Sequence, residues 1–203
     1  MSKLTVFYSP KYHKGVTHQD RSGKVEYYLD SVIKPLWLYK SLKDNQHIKF
    51  TEPGKLVSEN DLLKVHSLKY LESLRTGEPL ELAESSGLRW VPDLFDATLS
   101  SVNGYFSAAL QSIKDNVSGS LSTNFHHAEK NHGSGFCVLN GMAIVAKKLI
   151  HEKIVSRVMI IDCDYHYGDG NAKVFKNNEN VLVFDIFAGT HSQTTDTVSY
   201  THL

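Results

Sequence analysis

The stretch Arg157-Val158-Met159-Ile160-Ile161-Asp162-Cys163-Asp164-Tyr165-His166-Tyr167-Gly168-Asp169-Gly170 joins an apolar run to a polar loop in which Asp and His alternate. A strand that is apolar at successive positions is buried on both faces, the habit of parallel sheets covered by helices. While the chain stays extended beyond the strand, Asp162, Asp164 and His166 point to one side, because strand side chains alternate with period two. Two carboxylates and an imidazole at a sheet edge suit a divalent metal, since carboxylate oxygen and His nitrogen are both ordinary Zn²⁺ ligands. An isolated D-x-D after a strand reads more simply as the cap of the next helix. His166, together with a second polar loop upstream, tips the reading toward a metal.

Working outward, Asn180 to Ile186 (NVLVFDI) is a second buried strand, with a short helix near Asn171 to Phe175 between the two. Upstream, Cys137 to Ile150 reads as a helix with a wide apolar face, and Leu121 to Asn124 as a short strand. Strands apolar on both faces that alternate with helices argue for an α/β fold, three-layered around a central parallel sheet. Ligands in such folds sit at the carboxyl ends of the strands, where both polar loops begin. Further upstream, Phe95, Leu99, Val102, Phe106, Leu110 and Ile113 define a long amphipathic helix entered at Pro92, and Asn116 to Ser120 reads as a turn. Ser58 with Asp61 is a capping box opening a helical stretch that stops at Gly77. Val25, Leu29, Val32, Leu36 and Tyr39 fall at helical spacing, with Pro35 expected to kink or split that helix. Leu4 to Tyr8 is the first strand. There is no internal repeat and no low-complexity linker.

The second loop reads Asn124-Phe125-His126-His127-Ala128-Glu129-Lys130-Asn131-His132-Gly133-Ser134-Gly135-Phe136-Cys137. Histidine is the side chain best placed to move protons near neutral pH, and a neighbouring carboxylate tunes its charge and fixes its tautomer. His126 and His127 beside a metal can therefore divide proton acceptance and donation, with Asp162 and Asp169 available to orient them. Gly133 and Gly135 let the backbone turn and approach a ligand closely. His132 reads as an ordinary exposed histidine.

The composition narrows the classes further. The chain has 203 residues, with 22 Lys plus Arg against 22 Asp plus Glu, which argues against a dedicated nucleic-acid binder needing a marked basic excess. Residues 1–75 carry 13 basic and 8 acidic side chains and residues 76–203 carry 9 and 14, a difference read as a solvated basic face on the first third. Cys137 and Cys163 are too few for a disulfide framework. Met1-Ser2-Lys3-Leu4 lacks a signal-peptide core, and no run approaches the roughly 18 apolar residues of a membrane span. The expectation is a soluble, cytoplasmic protein with no nucleic-acid or membrane partner.

FHHA at 125–128, GSGFC at 133–137 and an apolar strand entering D-x-D-x-H-x-G-D-G at 162–170 together resemble the zinc-dependent histone deacetylase family, within the arginase/deacetylase fold. Two earlier segments, FYSPKYHKGVTH at 7–18 and LLKVHSLKYL at 62–71, also resemble the family's N-terminal part. The resemblance implies that Asp164 and His166 are two of three metal ligands, that His126 and His127 are the active-site pair, and that Asp162 and Asp169 bond to them. It assigns Gly135 backbone and the Phe136 ring to the acyl-lysine tunnel. It places a monovalent-cation site at Asp162, Asp164, His166 and Asp185, with K⁺ as its structural ion. Asp185, where many members carry Ser, is similar to the class IV branch, and Tyr167 replaces a frequent second His. His18 and Arg21 fall where members have a His and an Arg near an internal channel. The implied reaction is hydrolysis of an acetyl- or acyl-lysine side chain, or of a related acylated amine, with Zn²⁺ or Fe²⁺ as the metal.

In the family, a third metal ligand (an Asp) and a Tyr that polarises the substrate carbonyl lie well downstream of the second block. Here Leu203 follows closely on the 180–186 strand, and Thr197-Val198-Ser199-Tyr200-Thr201-His202-Leu203 resembles the translation of a transposon-end adapter. The expectation is a fold incomplete at the C-terminus: 1–196 as the N-terminal part of a deacetylase-like catalytic domain and 197–203 as a non-native tail. Such a fragment is expected to be inactive and poorly soluble by itself, while its full-length parent deacylates. Two other readings compete. A non-catalytic acyl-lysine-binding scaffold would keep the fold without turnover, and a haloacid-dehalogenase-type phosphatase would use the first Asp of D-x-D as nucleophile beside Mg²⁺. The second wants Thr or Val where His166 stands and leaves His126 and His127 unexplained.

Overall fold

A computed structural model describes residues 3–14, 17–19, 25–27, 30–54, 56–123 and 125–188. The readings placed on Arg21, Asn124, the His18 side chain and residues 197–203 lie outside what it describes. The chain opens with β1 (Leu4–Phe7) and a 3₁₀ turn at Pro10–His13. Next come an antiparallel pair, β2 (Thr17–Gln19) and β3 (Val25–Tyr27), then α1 (Asp30–Leu42) and β4 (Ile48–Thr51). The helix expected from Val25 therefore starts at Asp30. Val25–Tyr27 finds a strand partner in Thr17–Gln19, and local periodicity carries no information about such a partner. Pro35 sits inside α1 without ending it. A proline there removes a single backbone donor, which the rest of a helix can outlast.

The middle of the chain is helical: α2 (Glu59–Leu63), α3 (Leu68–Thr76), α4 (Leu80–Ala83) and α5 (Leu94–Asp115). The capping box at Ser58 and Asp61 is present, with each residue's side chain accepting from the other's backbone N–H. The stretch read as one helix to Gly77 is two, because Ser67 starts again: its hydroxyl accepts from the Tyr70 N–H and its own N–H donates to the Lys130 carbonyl at 2.8 Å. Gly77 ends α3 in the left-handed region at φ 79°, as a C-terminal glycine is suited to do.

The remaining elements are β5 (Gly119–Ser120), α6 (Gly141–His151), β6 (Val158–Asp162), α7 (Asp169–Val174) and β7 (Val181–Asp185). Two of them are displaced from expectation. The strand expected at 121–124 lies two residues earlier, in the stretch read as a turn, because pairing with β1 sets it: Val6 faces Gly119 and Phe7 faces Ser120. The helix expected from Cys137 begins at Gly141, where the Asn140 side chain accepts from the Ala143 N–H at 2.9 Å.

This is a mixed α/β fold with parallel strands, in the order β4-β1-β5 in one sheet and β6-β7 in another. Tyr39 of α1 stacks on Tyr8 and meets the edge of Phe50 of β4, and α5 packs along β1 and β5. The core gathers Tyr70, Leu71 and Leu74 of α3, Val102 and Phe106 of α5, and Ile144 of α6. Each such side chain contributes about 1.5–3 kcal/mol through burial. Ile160 and Val181 carry that core into the β6–β7 sheet. No helix of the described residues is long and apolar enough to cross a membrane.

Candidate active site

The in-register pairing of β6 with β7 sets Asp162 beside Asp185 at the carboxyl ends of both strands. Asp162 points inward. Its Oδ2 lies 2.9 Å from His126 Nδ1, and its Oδ1 accepts the Asp164 N–H at 3.0 Å. A carboxylate only accepts, so His126 donates from Nδ1 and leaves Nε2 turned toward Asp164 Oδ1, 3.8 Å away. His127 repeats the arrangement: its Nδ1 lies 2.7 Å from Asp169 Oδ1, at the start of α7. The two rings lie 4.0 Å apart, centroid to centroid, and His166 approaches the face of His127 edge-on at 6.1 Å.

Asp164 and His166 form the open side of this group. The Oδ1 of Asp164 lies 3.1 Å from His166 Nδ1 and also accepts the His166 N–H. Both side chains are exposed, whereas Asp162 is buried, so the three residues expected to point one way divide into one buried positioner and two accessible donors. The strand period stops applying beyond Asp162, where β6 ends. Among the described residues, no group of three or more His, Cys, Asp or Glu side chains is gathered to hold a metal.

The electrostatics follow from this packing. Burial favours neutral groups, and it is the largest single influence on each of these residues. For Asp162 and Asp169 it is outweighed by the bonds to His126 and His127, which hold both carboxyls below their ordinary value. Asp164 is likewise held down, against burial, by the His166 N–H and the His126 charge. His126 is raised, because the hydrogen bond to Asp162 and the charges of Asp162, Asp164 and Asp185 outweigh burial. Asp185 is raised by burial and by its like-charged neighbours, although the Gly168 N–H donates to its Oδ2 at 2.7 Å. Its other oxygen is buried with no hydrogen-bond partner among the described residues.

Gly135 and Phe136 stand against the same pair. Gly135 has φ 51°, and a Cβ there would lie 2.3 Å from His127 Cδ2, so only glycine lets the backbone back the imidazole this closely. Phe136 also has a positive φ, 63°, and is held by its N–H bond to the Ser86 carbonyl. His132 lies half-exposed beside Glu129, outside the group. The structure adds residues that the sequence reading did not single out. His66, Asn140 and Asn171 are buried beneath the His126–His127 loop and bonded to its backbone. Asn140, standing before an apolar helical run, carried a capping signal that could have found it. His66 lies inside the 62–71 segment that carries part of the resemblance, and nothing local marks Asn171.

This geometry can be set beside known proteins. The Histone deacetylase domain family matches residues 18–194. A probable deacetylase of Archaeoglobus fulgidus is 29% identical over 184 residues, which cover 89% of this chain and 48% of that protein. A probable deacetylase of Methanothermobacter thermautotrophicus is 27% identical, with 90% and 54% covered. Histone deacetylase 8 of Arabidopsis thaliana is 32% identical over 146 residues, 68% of this chain and 37% of that protein. The chain spans about half the length of the first curated relatives it matches, 48%, 59% and 54%. The match runs through both histidine–aspartate pairs, the Asp164–His166 pair and the strands that carry them, and on that extent the chain belongs to the histone deacetylase family.

Proposed function

We propose that the whole protein carrying these residues is a metal-dependent amidohydrolase that removes acetyl or longer acyl groups from lysine side chains or related acylated amines. The observation that carries this reading is the pair of His–Asp dyads, their rings 4.0 Å apart, beside the accessible Asp164–His166 pair. The 3.1 Å between Asp164 Oδ1 and His166 Nδ1 is near the roughly 3.4 Å edge of a tetrahedron drawn with ordinary Zn–O and Zn–N bonds. One carboxylate and one imidazole also suit Zn²⁺ or Fe²⁺ as donors. Asp164 and His166 would therefore hold the metal, with a third protein donor completing a catalytic site. When bound, such an ion supplies Lewis acidity to a carbonyl and lowers the pKa of a water.

The chain's own groups then divide the proton work. Asp169 fixes the Nδ1–H tautomer of His127, which leaves Nε2 to accept a proton from water and return one to the departing amine. His126, drawn toward its charged form by three carboxylates, stabilises negative charge on the acyl carbon's oxygen. Gly135 and the Phe136 ring border the path of the acyl chain. The backbone around Asp162, Asp164 and His166, with Asp185 on the next strand, would form a second cation site suited to K⁺, and the buried Oδ1 of Asp185, without a hydrogen-bond partner among the described residues, supports it. A cytoplasmic location belongs to the same proposal, supported by Cys137 and Cys163 both being free thiols.

The test is acetate release from an acetyl-lysine peptide by the whole protein, with and without added Zn²⁺, in wild type and His127→Ala. Metal-dependent release that falls about 10²–10⁴-fold in the variant is the expected result. Peptide binding without release would instead support the non-catalytic scaffold. Mg²⁺-dependent phosphate release from an aryl phosphate would support the phosphatase.

A further inference from the structure

The His126–His127 segment is held from below by two buried side chains, those of His66 and Asn140, and by the backbone N–H of Asn171. His66, 1% exposed, sits between α2 and α3 and bridges the middle of the loop to the cap of α6: its Nδ1 lies 2.8 Å from the Glu129 carbonyl, and its Nε2 accepts the Asn140 N–H at 3.0 Å. A carbonyl only accepts and a peptide N–H only donates, so these two partners specify one neutral tautomer, Nδ1–H. Asn140, fully buried, uses every polar atom of its side chain. Its Oδ1 accepts from the Ala143 N–H, and its Nδ2 donates to the Ala128 carbonyl at 3.1 Å and to Asn171 Oδ1 at 3.0 Å. The Asn171 N–H in turn donates to the His126 carbonyl at 3.0 Å. The carbonyls of His126, Ala128 and Glu129 are thus each tied to a different buried residue, and His127 lies among them.

We infer that His66 and Asn140 are positioning residues, which set the backbone of His126 and His127 and through it the placing of both imidazoles against Asp162 and Asp169. The inference rests on reading that pair as the reacting groups, but it concerns where they stand, so it does not depend on turnover. The physical reason is that the pair sits in a loop, which a helix or strand ladder does not hold. A loop backbone keeps a reacting side chain within a fraction of an ångström only when its carbonyls are bonded to rigid surroundings. Burial keeps His66 uncharged, its pKa pulled down to about 4, so the acceptor for Asn140 persists at neutral pH. Among the described residues no acidic side chain bonds to the ring, and the charge of Lys147 lowers it further.

The test uses the whole protein and needs no substrate. His66→Phe removes both bonds, His66→Asn keeps a donor near the Nδ1 position, and Asn140→Asp keeps the helix cap but loses the donor to Ala128. Leu74→Ala, in the same core but bonded to nothing in the loop, is the control for general destabilisation. Amide hydrogen exchange of Asn171, whose N–H holds the His126 carbonyl and does not touch His66, should quicken about 10- to 100-fold in His66→Phe beyond any change in global stability. The ring NMR signals of His126 and His127 should move with it. His66→Asn should restore part of both, and Leu74→Ala should move neither relative to the rest of the core. The inference is overturned if Asn171 exchange and the two ring signals in His66→Phe change only as they do in Leu74→Ala. Should His66→Phe fail to fold, Asn140→Asp is read the same way. Inactivity of the whole protein toward acyl-lysine, with these shifts present, would reject the proposed function and leave the positioning role standing.

Discussion

Burial pulls the His66 imidazole down to about 4, with the Lys147 charge acting in the same direction and the Glu129 carbonyl opposing both. Unfolded, the same ring titrates near about 6.5. Between those values the unfolded chain binds a proton that the folded chain refuses, so stability is complete above the upper value and is lost as pH falls toward the lower one. The slope for one proton is about 1.4 kcal/mol per pH unit. Urea denaturation across this window should therefore show a shallower acid loss in His66→Asn than in wild type; equal slopes would contradict a neutral, buried His66. Asp61 adds a separate loss at lower pH. Burial acts to raise its carboxyl, but bonds from Lys148, Ser58 and Lys64 hold it below the usual carboxylate range, so its contribution disappears only as it becomes protonated. A second residue-scale prediction concerns Asp169. Asp169→Asn offers His127 Nδ1 a donor as readily as an acceptor and frees the ring's tautomer. In the whole protein this should lower kcat for deacylation by about 10²–10⁴-fold, a loss that steady-state kinetics would resolve from any change in KM.

At the scale of elements, α7 is seated by one glycine. A Cβ at Gly170 would lie 2.6 Å from the Ala128 carbonyl oxygen, the His126 carbonyl oxygen and the His127 carbonyl carbon, all of them backbone. Backbone cannot step aside as a side chain can, so Gly170→Ala should destabilise the fold by about 1–3 kcal/mol and push α7, with Asp169, away from His127. Gly54→Ala is the contrast: its nearest neighbour would be a Leu56 side-chain atom at an ordinary 3.5 Å, and denaturation should find it within about 0.5 kcal/mol of wild type. The elements also divide by how legible they were. The Ser58–Asp61 capping box, the Gly77 stop and the 22-residue α5 are read directly from spacing, because the forces that form them act within a few residues. The break at Ser67 and the place of β5 depend on Lys130 and β1, which are distant in sequence, whereas the start of α6 follows from the local Asn140 cap.

For the whole molecule, the β6–β7 sheet presents Val158, Ile160, Val181 and Val183 to the core, while Met159, Ile161, Leu182 and Phe184 of its other face are 46–62% exposed. A contiguous apolar face of this kind favours association through the sheet. The chain should self-associate in a concentration-dependent way, and the double substitution Ile161→Thr, Phe184→Thr should shift it toward monomer with its far-UV circular dichroism unchanged. Sedimentation velocity over a concentration series would check this. Unchanged association in the double variant would move the contact to another surface.

The sequence by itself determined the fold class and the side chains offered for chemistry: an apolar strand leading to Asp162, Asp164 and His166, expected to be buried on both faces but found with Met159 and Ile161 exposed, a loop carrying His126 and His127, and the α/β alternation that brings both to strand ends. Those features are legible because composition and short spacing encode burial, reach and donor type. Only the tertiary structure decided which carboxylate holds which imidazole, that Asp162 turns inward while Asp164 and His166 stay accessible, and that His66, Asn140 and Asn171 anchor the loop. The hydrogen bonds that fix these pairings join residues 12 to 74 positions apart. No local preference selects such a partner, and it exists only once α3, α6 and the β6–β7 sheet have packed.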